Sequence, residues 1–329
     1  SGLRNTRLEI GDIIYRDVID GDLAYFTRQP TLIRSSLGVH KVIVIRDPGV
    51  YTIQMNIVAC GWYNADFDGD QMNLWVIRNP ASQAEARLMS AVSNWFTSTN
   101  NQSPIGLTQD STIGSHKLTQ STVRLSRYYL MNVFAGAELP LITFAKTPER
   151  GYFTGRDVIS LMLKQTPINY TSVPASYNPV YHPFIQFDKD EMRTVIEQGV
   201  MLQGVLDNKS IGEGAGASIF NLVNREYGTE KAMNIVYALQ QISLQFLIYK
   251  GATVGTGDLI PSIGATKQIN ELMSSVRLES QVITDQLVRG EIMPPIGLTI
   301  REFYEELQIN ALKMPENELL QIILALRPP

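Results

Sequence analysis

One cysteine, Cys60, is all the thiol that 329 residues carry. A lone thiol excludes an intramolecular disulfide and fits a reducing compartment. It also counts against structural zinc, because the histidines, His40, His116 and His182, are scattered with no paired spacing. Charge is sparse as well: 18% of residues, with a net −4, which excludes a generic basic nucleic-acid binder. Any contact with nucleic acid must therefore be local, or shared with partner chains. No uninterrupted apolar run approaches the roughly 20 residues of a membrane helix, so no membrane partner is expected. The start of the chain, Ser1-Gly-Leu-Arg-Asn-Thr-Arg7, lacks the apolar core of a signal peptide, and an intracellular location follows as the expectation.

The length allows two or three domains with real cores. Residues 8–80 read as β-rich. An Asp20-Gly21 turn closes the first segment, two strands are expected around Asp47-Pro48-Gly49, and Leu74–Ile77 reads as another strand. Ile53, Met55 and Ile57 alternate onto one face. Helical signals begin at Ser82, which forms a capping-box pattern with Glu85. Residues 102–115 read as loop, Thr154–Asp157 opens a short helix, and 169–184 reads as an extended Pro- and Tyr-rich connection. Residues 212–216 read as a flexible lead into a helix from about 217. A stronger helix starts at Thr229 and stops at Gly251, and a helical hairpin follows, over about 266–289 and from Thr299 onward. The expected plan is α+β, with boundaries at 1–80, 81–228 and 229–329.

The chemistry concentrates in "YNADFDGDQMN", residues 63–73, where three aspartates share five positions with one glycine. Like charges this close repel, and a bound cation is the usual resolution. On a regular strand Asp66, Asp68 and Asp70 would spread over about 13 Å, too far to chelate one ion. Gly69 permits a tight turn that brings them together, with Phe67 expected as an apolar anchor between two of the acids, and strands expected on both sides of the loop. Three hard oxygen donors without nearby Cys or His select Mg²⁺ or Mn²⁺ over zinc. Calcium is the rival, since Asn64-x-Asp66-x-Asp68-Gly69 matches the first half of an EF-hand loop. The twelfth position, however, is Trp75 where a bidentate Glu belongs. A solvated acidic turn without any ion is the bland alternative.

"NADFDGDQMN" resembles the metal-binding signature NADFDGD of the largest subunit of multisubunit DNA-dependent RNA polymerases. Further segments resemble the same family in order: "DGDLAYFTRQPTLIR" upstream, then "PIGLTQDSTIG", "GVLDNKSIG", "NLVNREYG", "GATVGTGD" and "GLTIREFYEELQINALK". The likeness covers nearly the whole chain and favours the eukaryotic, archaeal or large-DNA-virus branch. It implies a fragment holding the later part of a double-psi β-barrel, followed by mixed and helical modules that correspond to the pore and funnel. It also implies that the aspartates hold a catalytic Mg²⁺, with a second Mg²⁺ arriving with the nucleoside triphosphate. Asn64 and Arg28 match positions that read the ribose hydroxyls, and Lys209 matches a pore lysine near the path of the triphosphate. Arg34 and Lys41 would face the RNA–DNA hybrid. The implied partners are the second-largest subunit, the rest of the largest subunit, template DNA and the transcript. The chain departs from the family pattern at Thr27, at Ile33-Arg34 and at Trp75, none of them a metal ligand.

The reading that results is a DNA-directed RNA polymerase segment, a nucleotidyltransferase active only in an assembly. Two alternatives stand beside it. One is a single-chain, two-barrel polymerase of the silencing type; the other is a non-catalytic assembly module with a vestigial metal loop.

Overall fold

The computed structural model describes residues 9–89, 96, 102–137, 148–175 and 188–325. The first seven residues, most of the expected 169–184 connection, and His182 lie outside the described residues. Those within 1–112 and 208–241 form one compact unit, and those within 113–207 and 242–329 a second. Both mix helices with a small antiparallel sheet, so the chain is α+β.

The first unit is organised by three strands, β1 (Leu23–Thr27), β2 (Leu37–Lys41) and β3 (Asn73–Val76), in the order β2-β1-β3. β1 is central and buried on both faces, and the period of two sends its side chains alternately to two apolar clusters. Leu23 and Tyr25 pack with Val39, Ile77 and Ala86, while Phe26 packs with Trp62 and Tyr63. Burying a side chain of this size stabilises by about 1.5–3 kcal/mol, so the strand is held from both sides.

Ala86 belongs to α2 (Pro80–Met89), which starts two residues before the expected capping box. Asn79 is the cap, its Oδ1 accepting from the Ala81 N–H at 2.9 Å. Pro80 then takes the first helical position, where no N–H is needed.

The expected strands around Asp47-Pro48-Gly49 are absent among the described residues. The turn itself is there, with Gly49 N–H donating to Asp47 Oδ1 at 2.8 Å and Val50 N–H to Asp47 O at 3.1 Å. Alternation makes a strand only where an adjacent backbone takes up the ladder hydrogen bonds, and residues 43–56 pair with no strand. Ile43 and Ile53 consequently stand in solvent, while Met55 reaches the Phe26 cluster.

Still in this unit, Leu107 donates its N–H to Ile211 O at 2.8 Å and bridges to Gly212. α6 (Asn208–Ile211) and α7 (Ile219–Tyr227) follow. Ser218 caps α7 by accepting from the Asn221 N–H at 3.1 Å, close to the expected start.

The second unit contains β4 (Tyr170–Ser172), β5 (Thr194–Glu197) and β6 (Val200–Gln203), antiparallel in sequence order. Its core joins Leu118, Leu130, Phe134, Val158, Ile242 and Phe246. These come from α3 (Gln109–Thr119), α4 (Arg127–Gly136), α5 (Gly155–Leu163) and α8 (Thr229–Lys250). α5 opens where expected, with a capping box in which Thr154 Oγ1 accepts from Asp157 N–H and Asp157 Oδ2 accepts from Thr154 N–H.

α3 corrects the loop expected over 102–115. Gly114 reads as a breaker, yet it sits in the helix because a Cβ there would lie 2.6 Å from Ser243 O. The adjacent Ser115 and Ser243 hydroxyls bond at 2.7 Å in a buried position. Close approach, not flexibility, explains the glycine.

α8 stops at Gly251, whose φ is +67°, as expected. α9 (Ile263–Val288) and α10 (Ile300–Ala325) form the expected hairpin, tied by Gln308 Nε2 donating to Ser280 O at 3.0 Å. Among the described residues, no helix is long and apolar enough to cross a membrane.

Candidate metal centre

The aspartate loop is suspended between two anchors in one apolar cluster. On its upstream side a 3₁₀ turn at Ile57–Ala59 runs into the single helical turn α1 (Cys60–Tyr63). Asn56 starts this element, its Oδ1 accepting from Val58 N–H at 3.0 Å while its Nδ2 donates to Gln240 Oε1 at 3.0 Å. Asn64 ends it in the left-handed conformation (φ 49°, ψ 45°), which Asn tolerates better than most residues. The Ala65 N–H then donates to Cys60 O at 2.9 Å.

This corrects the expectation of strands on both sides, since a helical turn precedes the loop and only β3 follows it as a strand. The reason is the run Cys60-Gly-Trp-Tyr63, whose aromatic residues pack back under Phe26 instead of extending.

Tyr63 is 2% exposed and sets the height of the loop. Its ring meets Phe26 edge-on at 5.4 Å, and its hydroxyl lies 2.5 Å from His40 Nε2. Burial pushes the Tyr63 hydroxyl up and the His40 ring down, so both stay neutral around neutral pH. Gly38 of β2 makes room, because a Cβ there would fall inside the contact distance of Tyr63 Oη and 3.3 Å from Cζ. On the downstream side Met72 returns to the same cluster.

Between these anchors Asp66 to Gly69 face solvent, and Gly69 turns at φ +106°. Phe67 is 71% exposed and anchors nothing in this chain, contrary to expectation. The turn that brings its neighbours' carboxylates inward sends its ring outward. Asp66, Asp68 and Asp70 each present a carboxylate oxygen, all within 4.8 Å of one another.

Sheet register brings the first cation to this loop. β1 and β3 pair Thr27 with Asn73, so the residue after β1 emerges beside the last turn of the loop. That residue is Arg28. Its Nε donates to Asp70 Oδ2 at 2.7 Å and its Nη2 to Asp70 Oδ1 at 3.0 Å, a two-point contact. Asp70 Oδ2 also accepts from the Asp66 N–H at 3.2 Å.

Asp68 and Asp70 consequently differ. The Arg28 hydrogen bonds, then the Asp66 amide, hold Asp70 below the usual carboxylate range. Asp68 is raised, chiefly by its hydrogen bond and charge contact with Asp66. Arg28 is itself raised by bonding to Asp70.

The other candidate residues are placed as follows. Asn64 is exposed at the end of α1, where the loop begins. Arg34 is exposed in a 3₁₀ turn (Arg34–Ser36) of the β1–β2 connection, at the loop end of the sheet. Lys41 is at the other end, paired with Leu23, roughly 13 Å along the strand. Lys209 is exposed on α6 of the same unit.

Sequence reasoning passed over three participants. Tyr63 was given no role, His40 stood only among the scattered histidines, and Glu213 was read only as part of a flexible lead. The Glu213 carboxylate lies where a Cβ on Gly61 would be, and burial pushes its carboxyl up. The only signal in the sequence was the glycine inside so short a helix.

Three carboxylates at this spacing, with no sulfur or imidazole in the group, fit a hard divalent cation such as Mg²⁺ or Mn²⁺. The arrangement defines a chain that offers an acidic oxygen cradle on a sheet end, flanked by an arginine.

Residues 3–92 match the family model of RNA polymerase Rpb1, domain 2, and residues 94–259 that of RNA polymerase Rpb1, domain 3. The chain is 43% identical over 328 residues to a DNA-directed RNA polymerase RPB1 homolog of African swine fever virus (strain Badajoz 1971 Vero-adapted), covering 98% of this chain and 23% of that protein. It is 30% identical over 302 residues to the DNA-directed RNA polymerase II subunit RPB1-B of Trypanosoma brucei brucei (91% of this chain, 16% of that one). It is also 30% identical over 305 residues to the DNA-directed RNA polymerase subunit Rpo1N of Thermoplasma acidophilum (91% and 34%). The chain belongs to the Rpb1 family, the largest subunits of DNA-directed RNA polymerases. It spans about a quarter of the length of its viral relatives.

Proposed function

We propose that this chain is the catalytic segment of a DNA-directed RNA polymerase, which transfers a nucleoside monophosphate from a triphosphate to the RNA 3′-hydroxyl. The observation that carries the reading is the convergence of Asp66, Asp68 and Asp70 within 4.8 Å. In this reading their carboxylates hold one Mg²⁺. That ion, with a second one bound to the triphosphate, supplies Lewis-acid charge to the attacking 3′-oxygen and the leaving pyrophosphate.

The protein's own contribution is positioning and charge placement, which account for most of phosphoryl-transfer catalysis. Asn64 and Arg28 read the ribose from the loop end of the sheet, and Lys209 meets the triphosphate. Arg34 and Lys41 contact the backbone of the RNA–DNA hybrid. Residues 1–80 form the later part of a double-psi β-barrel, 81–228 a pore-like region and 229–329 a funnel-like one.

Activity depends on assembly with the second-largest subunit and the remainder of the largest. Exposed Ile10, Ile13, Tyr15, Ile43 and Tyr51 are apolar surface that such neighbours would cover. In the assembled enzyme Asp68→Asn removes one charge while keeping the shape of the side chain. Elongation should fall at least 100-fold with subunit assembly intact; near-normal elongation would rule the metal reading out.

A further inference from the structure

The Arg28–Asp70 pair does more than steady a loop. An ionised carboxylate offers about four acceptor positions, two on each oxygen. Here Oδ2 accepts from Arg28 Nε at 2.7 Å and from the Asp66 N–H at 3.2 Å, which fills both of its positions. Oδ1 accepts from Arg28 Nη2 at 3.0 Å, so the arginine engages both oxygens. Arg28 also brings a full positive charge to the edge of the group that would bind a divalent cation. A guanidinium cannot shed that charge by deprotonating.

We propose that Arg28 is a built-in competitor of the metal, a positioning residue that engages both oxygens of Asp70 and weakens ion binding. This rests on the metal reading above and assigns its regulation. The consequence is a site kept exchangeable, whose ion is held firmly only when a ligand draws the guanidinium away from Asp70.

The sign follows from two opposing effects. Losing Arg28 removes two hydrogen bonds from Asp70. However, the Asp66 N–H still holds Oδ2, and the loop keeps its anchors at Tyr63 and Met72. Losing the charge removes a repulsion between a unit charge and a divalent ion. At roughly 6 Å in water that repulsion amounts to about tenfold in affinity unscreened, and about threefold at physiological ionic strength. Charge wins, and affinity should rise.

The test uses the complete polymerase carrying this chain. Fe²⁺ with ascorbate and peroxide cuts the backbone beside a bound iron, and Mg²⁺ protects by displacing it. With iron kept well below saturation, the Mg²⁺ concentration giving half protection at residues 66–70 reports affinity without reference to catalysis. Arg28→Gln should lower that concentration about 3- to 10-fold. Arg28→Lys, which keeps the charge without the fork, should stay within about twofold of the parent. An unchanged or higher Mg²⁺ requirement in Arg28→Gln overturns the competition, because a purely structural arginine would weaken binding in both variants. If cutting at the loop is absent, or survives Asp68→Asn unchanged, the metal reading itself fails and this inference falls with it.

Discussion

Gly38→Ala is a one-carbon change at a site where sequence propensity and structure point in opposite directions. Gly38 lies in β2, opposite Phe26, with no left-handed backbone conformation that would require glycine. Propensity alone makes the substitution favourable, since Ala loses less backbone entropy on folding, worth about 0.4–1 kcal/mol. The structure reverses the sign. The new Cβ would press into Tyr63 Oη and sit 3.3 Å from Cζ of a ring that is 2% exposed. Overpacking of this kind costs about 1–3 kcal/mol. A displaced Tyr63 also loses its bond to His40, about 1 kcal/mol more. The net expectation is a loss of about 1.5–3 kcal/mol, read from the urea midpoint with an unchanged slope. Tyr63→Phe in the same chain removes the oxygen that is struck, so the alanine should then cost under about 1 kcal/mol. The difference is a coupling of about 1–2 kcal/mol in a double-mutant cycle. A Gly38→Ala chain as stable as the parent, or one that Tyr63→Phe does not relieve, refutes the claim that Tyr63 sets the height of the metal loop.

Two further outcomes follow. Asn64→Ser in an assembled enzyme should lose most of its preference for ribonucleotides over 2′-deoxyribonucleotides, because a site built to bond a hydroxyl discriminates by about 1–3 kcal/mol per group. Steady-state incorporation of the two substrates measures this, and undiminished selectivity would free Asn64 of that part. His40 titrates in the folded chain below its ordinary 6.5, because burial disfavours its charged form. The unfolded chain therefore takes up the proton first, and the stability His40 confers is full above about pH 6.5 and lost as pH falls through the folded value. The urea midpoint should drop between pH 7.5 and pH 5 more steeply in the parent than in His40→Gln; equal slopes would contradict it.

The helices were legible wherever a local signal controls them. Thr154 with Asp157 and Thr299 with Glu302 are short-range boxes, and both open helices in the structure. Gly251 ends α8 because a left-handed stop is also local. Strands were read less well, because a strand is decided by its neighbour. Residues 43–56 have the alternation but no partner, whereas Leu23–Thr27, the strand that organises the first unit, was not singled out from its pattern. At the site, the convergence of the aspartates followed from their spacing around Gly69. The Arg28–Asp70 bond did not, because it spans 42 positions and depends on the β1–β3 register. A glycine misled once, at Gly114, where close packing and not turning demands it.

The central claim is that Asp66, Asp68 and Asp70 together hold one divalent cation, and anomalous diffraction from crystals soaked in Mn²⁺ tests it most directly. The account requires one strong peak lying among the three carboxylates, and its loss in Asp68→Asn crystals grown in the same form. A map at saturating Mn²⁺ with no peak there, or with a peak that persists in Asp68→Asn, would contradict it.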